Sequence, residues 1–154
     1  MGMSNQIRTT AHVDLEAMIK PLQNICNECD YNGTDDCKPA ACMAGFALRS
    51  LQFAKQKGIL DIPGAVQHIP QSDMKHYFAE NIIPALGETC RQCKECQDNH
   101  SPDCVIALAR TCLENTILEE NIHYPGSVFM YLAALRKQDQ DIAQMLAAEL
   151  QRKK

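Results

Sequence analysis

The chain has no tryptophan and only four tyrosines and four phenylalanines, which removes the aromatic platforms on which single-stranded nucleic acids stack. Its net charge is -4, so it offers no positive field to a phosphate backbone. The only basic cluster, Arg152-Lys153-Lys154, ends what reads as a helix, where cations complement the negative pole of the dipole. No nucleic-acid partner is expected. No apolar run approaches membrane-spanning length, and residues Met1 to Gln6 contain no apolar stretch of the signal-sequence kind. Gln6 also stands where a myristoylation signal requires Ser or Thr. The expectation is a soluble, cytoplasmic protein without a membrane partner. A Gly-rich phosphate loop, a metalloprotease helix and a nucleophile elbow are all missing. No catalytic residues are assigned, and the reading leans away from an enzyme.

What the sequence does have is nine cysteines, high for a cytoplasmic chain and odd in number, which argues against a secreted disulfide scaffold. Six of them lie in two loops, Cys26 to Cys37 and Cys93 to Cys104, that share the pattern C-x-E-C-x-x-N-x-x-x-D-C. Agreement in spacing, in three cysteines and in a Glu, an Asn and an Asp indicates an internal duplication. Pro63-Gly64-Ala65-Val66 and Pro125-Gly126-Ser127-Val128 extend it, giving repeats over about 12–70 and 73–135. The offset falls from 67 residues at the cysteines to 62 at the Pro-Gly pairs, which implies a shorter helix in the second copy.

Apolar residues recur at helical spacing. Leu15, Met18, Ile19, Leu22 and Ile25 mark a helix from Thr10 with a kink at Pro21. A second helix should run from Lys38, opened by Pro39, to Lys57 before Gly58. Ser72 can cap a third, to Glu88, with Met74, Tyr77, Phe78 and Ile82 on its inner face; a fourth should span Cys104 to Glu120. A fifth follows Ser127, and a C-terminal helix covers 139–152. No period-two alternation long enough for a strand is present. The fold class is therefore all-α, a single-domain bundle of about six helices built from the duplication, with two cysteine-rich metal-binding loops.

Cys26-x2-Cys29 and Cys93-x2-Cys96 each offer two sulfurs from a tight turn, as tetrahedral zinc or an iron-sulfur cluster requires. Cys37 and Cys104 supply a third in each loop. The fourth is assigned to Cys42 in the first copy and to Cys90 in the second, with His100 as the alternative. Cys112 lies about 12 Å of helix beyond Cys104 and is assigned to the core. Asp36 and Asp103 are read as helix caps, Asn32 and Asn99 as left-handed turn residues, and Glu28 and Glu95 as outward-facing. His12, His68, His76 and His123 are read as surface or core residues.

Three cysteines at x2 spacing followed by a distant fourth resemble the pattern of bacterial ferredoxins. The spacing of the first copy resembles the N-terminal four-cysteine motif of hybrid cluster proteins, also on a helical domain. The resemblance covers fewer than about 20 residues, and Val105 stands where ferredoxins carry Pro after the last cysteine. It implies a 4Fe-4S cluster. Three functions are kept: an iron-sulfur protein in electron transfer or redox or metal sensing, a zinc-stabilised helical module that docks a protein partner, and a thiol-disulfide oxidoreductase. Cys93, Cys96, His100 and Cys104 would make the mixed zinc site of the second, similar in type to a zinc knuckle.

Overall fold

The structure, a computed structural model, describes residues 13–29, 34, 41–71, 73, 77–92, 104–122 and 127–152. These form six α-helices and no strand: α1 Leu15–Asn27, α2 Met43–Lys57, α3 Ala79–Gln92, α4 Val105–Ile117, α5 Val128–Gln138 and α6 Gln140–Arg152. The all-helical expectation holds, but several helices begin later than their apolar periodicity suggests.

Capping chemistry accounts for these later starts. The Asp14 carboxylate accepts from the Ala17 N–H at 3.1 Å, so α1 begins at Leu15 rather than Thr10 and buries Leu15, Met18, Ile19 and Leu22. Cys42 has extended backbone, and its sulfur accepts from the Gly45 N–H at 3.4 Å; α2 therefore starts at Met43 and not at Lys38. Pro39, the expected opener, lies outside the described residues. At the other end Gly58 takes a left-handed conformation, with φ of 73°, and its N–H returns to Ala54 O.

The third helix differs most from expectation. Tyr77 and Phe78 precede it, and Phe78 is 54% exposed instead of facing the core. Asp73 is engaged elsewhere: its carboxylate accepts from the Met43 N–H at the start of α2 and from the Tyr77 hydroxyl. Ser72 and Met74, the expected cap and the first inner-face residue, lie outside the described residues. Ile82 is buried as expected, and α3 continues past Glu88 to Gln92, so Pro84 is internal.

The fourth helix opens after Cys104 and closes at Ile117, short of Glu120. Residues 60 and 61 run beside its start, with Val105 N–H donating to Leu60 O at 2.8 Å and an isolated antiparallel bridge between Asp61 and Cys104. Ser127 caps α5, and Asp139 caps α6 by accepting from the Ile142 N–H.

Four helices close a ring in which α1 packs on α2, α2 on α4, α4 on α3 and α3 on α1. The third also carries α6, which in turn packs on α5. Met18, Ile19, Leu22, Leu51, Ile82, Leu86, Ile106 and Leu113 fill the ring, each below 3% exposure. No helix among the described residues is long and apolar enough to cross a membrane.

Candidate metal centre

Cys26 occupies the last turn of α1, and Cys29 follows in the turn that leaves it, with its N–H bonded to Cys26 O at 3.1 Å. Cys42 stands at the N-cap of the neighbouring helix α2. Because α1 and α2 pack together, these three residues line one cavity of about 120 Å³. Its walls are otherwise mostly apolar, with Ile25, Ala44 and Leu48, and Tyr77 at one side. Cys37, the remaining member of the first set, lies outside the described residues. Glu28 is exposed, as its neighbouring thiols suggested.

The sulfur of Cys42 has two partners besides the cavity. Gly45 N–H donates to it, and the Tyr77 hydroxyl oxygen is 3.0 Å away. The same hydroxyl donates to Asp73 Oδ2 at 2.7 Å, and that oxygen accepts the Met43 N–H at 2.8 Å. Burial, and then the neighbouring Cys42 and Asp73, push the Tyr77 pKa far above the ordinary phenol value. Tyr77 therefore stays protonated and can serve as a donor.

Cys90 and Cys104 of the second set are both fully buried, at 0% exposure. Cys90 is the twelfth residue of α3, as Cys26 is of α1, and Cys104 is the N-cap of α4, as Cys42 is of α2. Burial pushes the Cys90 thiol up to about 12, with Arg110 opposing the rise and Glu114 adding to it. Cys93, Cys96 and His100 lie outside the described residues, as do Asn32, Asn99, Asp36, Asp103, Glu95, His12, His76 and His123; His68 is exposed. Cys112 is fully buried in α4, and burial pushes its thiol up to about 12.

Among the described residues no group of three Cys, His, Asp or Glu side chains is gathered closely enough to hold a metal ion. In the first set three thiols face one cavity without converging on a point; in the second, two of the four proposed ligands are described.

Asp73 and Tyr77 are the site residues that sequence periodicity missed. Tyr77 was read as an inner-face helix residue, whereas its i, i+4 spacing from Asp73 places its hydroxyl on that carboxylate. A buried polar group was missed as well: Arg110 and Glu114 lie inside α4 at 3% and 1% exposure, although their neighbours gave the helix an apolar reading. No protein-family model, curated protein or solved structure matches the chain.

Proposed function

We propose that the protein is a cysteine-ligated iron-sulfur protein that transfers electrons or senses redox state or metal. The first set of ligands would be Cys26, Cys29, Cys37 and Cys42, and the second Cys90, Cys93, Cys96 and Cys104. The observation that carries this reading is the cavity beside Cys26, Cys29 and Cys42. A space of about 120 Å³ has room for several atoms, since a water occupies about 30 Å³ of liquid. Its apolar walls suit a group whose potential depends on limited solvent access.

The two-site reading rests on the internal duplication, whose sequence register pairs Cys26 with Cys93 and Cys37 with Cys104; the helix positions follow a different register. Cys26 matches Cys90 by helix position, and Cys42 matches Cys104 as an N-cap. The caps are 62 residues apart, the offset already seen at the Pro-Gly pairs. Helix α4 is two residues shorter than α2, in the direction that the falling offset implies. In the ring α1 packs on α3 and α2 on α4, an arrangement compatible with a pseudo-two-fold axis.

The oxidoreductase reading has less support. Reactive Cys-x2-Cys pairs work at a helix N-terminus, commonly on a βαβ frame. Cys26 begins its pair in the last turn of α1, and no strand is present among the described residues. Iron, zinc and acid-labile sulfide analysis of protein prepared without oxygen tests the proposal. Iron and sulfide in equal amounts with a visible charge-transfer band support it. Stoichiometric zinc with no visible band would replace it with the zinc-stabilised interaction module.

A further inference from the structure

Helix α2 carries two large apolar side chains on a side that its packing into the ring does not use. Met43, Ala44, Ala47, Leu51 and Ala54 are buried, whereas Phe46, Arg49, Ser50 and Phe53 follow at i, i+3, i+4 and i+7 along a second face. Residues 62–68 supply the opposite wall, turning at Gly64, whose φ is 80°. Between them lies a cleft of about 800 Å³. Small-molecule sites commonly occupy about 300–1,000 Å³. Phe46, Ile62 and Ala65 are partly buried against the core and give the cleft an apolar base, and Phe53 is 44% exposed along it.

The charge of the lining has one sign. Among the described residues the Arg49 guanidinium is its one full charge, no carboxylate lines it, and Gln52, Gln56 and Gln67 add side-chain amides. This is a local reversal in a chain whose net charge is -4. Arg49 has no ion pair or hydrogen bond among the described residues, so its fork of donors is free. Lys57 Nζ lies 5.9 Å from the centre of the Phe53 ring and brings a second cation close to the same wall. A polyanion or an anionic membrane would need several cations in the lining. A single guanidinium instead matches a single carboxylate or sulfonate through paired N–H bonds.

We propose that this cleft binds a small organic acid, its apolar ring body against Phe46 and Phe53 and its one carboxylate or sulfonate on Arg49. Arg49 and Gln52 also edge the cavity beside Cys26, Cys29 and Cys42, but no cysteine lines the cleft, and binding requires no metal.

Fluorescence titration of the full-length protein with two dyes tests the assignment. Anilinonaphthalene sulfonate carries one negative charge, and phenylnaphthylamine is the same ring system without it. Wild type should bind the sulfonate saturably at one site. Arg49→Gln should weaken it at least about tenfold, as loss of a charge-assisted hydrogen bond does, and leave the neutral dye as tightly bound as in wild type. Arg49→Lys should recover part of that loss. Phe53→Ser should weaken both dyes, whereas Phe129→Ser, at an 83% exposed residue of α5, should weaken neither. Arg49 and Phe53 are exposed, so the variants should fold, and circular dichroism verifies this. The proposal is overturned if wild type binds neither dye saturably, or if Arg49→Gln leaves the sulfonate unaffected or weakens both dyes equally. Loss of binding in Phe129→Ser would place the dye on α5 and overturn it too. Sedimentation showing a dimer that Phe53→Ser breaks would give the cleft to a second copy of the chain instead.

Discussion

The Tyr131 hydroxyl on α5 donates to Oε2 of Glu114 on α4 at 2.5 Å, with the two residues 0% and 1% exposed. The other carboxylate oxygen accepts from Asn121 Nδ2 and from the Ile122 N–H, each at 3.0 Å. Arg110, one turn earlier on α4, places Nε 3.8 Å from Oε2. One side chain thus fastens α4, the segment that follows it and α5. Burial, followed by the Glu114 charge, drives the Tyr131 pKa well above the ordinary phenol value, so the donor keeps its proton.

Loss of this donor should be costly, because a buried, charged acceptor loses its shortest hydrogen bond. Tyr131→Phe is expected to lower unfolding stability by about 1.5–3 kcal/mol, the range for hydrogen bonds to charged groups. Glu114→Ala should cost more than Tyr131→Phe, since it removes the acceptor of the Tyr131, Asn121 and Ile122 hydrogen bonds together. Urea denaturation of metal-free protein measures both. A Tyr131→Phe variant within about 0.5 kcal/mol of wild type would show that the contact contributes no more than a surface substitution does.

Gly87 makes a second, independent test of packing. A Cβ at this position in α3 would lie 2.8 Å from Glu149 Cγ on α6. Glu149 cannot swing aside freely, because its carboxylate is bonded to Arg152 at 2.8 Å and its backbone carbonyl to Arg91 at 2.6 Å. Helix propensity alone would make Gly87→Ala stabilising by about 1 kcal/mol. Overpacking, at about 1–3 kcal/mol, should outweigh that gain, and thermal melts are expected to show a net loss of up to about 2 kcal/mol. A raised melting temperature would mean that α6 can move away at little cost.

Cys112 and Cys90 should separate cleanly, although both are buried thiols. Cys112→Ala should leave metal content unchanged and cost about 1 kcal/mol. Cys90→Ala should deplete the second site, because a thiolate ligand is removed. Metal analysis of both variants decides the matter. Metal loss in Cys112→Ala would put that residue in the ligand set, and loss in His100→Ala but not in Cys90→Ala would favour the mixed zinc site.

Cys112 also predicts an alkaline dependence in metal-free protein. Its thiol is pushed up to about 12 by burial, from an unfolded value near 9. Below about pH 9 both states hold the proton, and the full contribution is present. As pH rises from about 9 toward 12 the unfolded state releases its proton first, so stability falls. Melting temperatures across that window should decline less steeply in Cys112→Ala than in wild type.

The helix count was legible in the sequence because amphipathic spacing survives in a single chain, as Met18, Ile19, Leu22 and Ile82 illustrate. Helix starts were less legible, because they depend on which side chain caps which backbone. Asp73 shows the difficulty: it caps α2 from 30 residues away, a relation that local pattern does not contain. Arg110 and Glu114 were hidden for a related reason. Isolated charges on an apolar helix read as its exposed edge until a partner such as Tyr131 is placed against them. For the site, spacing identified Cys26, Cys29 and Cys42 as companions, and the packing of α1 on α2 brings them to one cavity. Tyr77 reaches that cavity through tertiary folding, so spacing within the cysteine loop could not include it.

Native mass spectrometry of protein reconstituted with iron and sulfide under anaerobic conditions tests the central claim most directly, since it counts the bound atoms on an intact chain. The account predicts a mass corresponding to two 4Fe-4S clusters, one of which is lost in Cys42→Ala and the other in Cys90→Ala. A chain that carries only zinc, or one that keeps the apoprotein mass with its thiols intact, would contradict it.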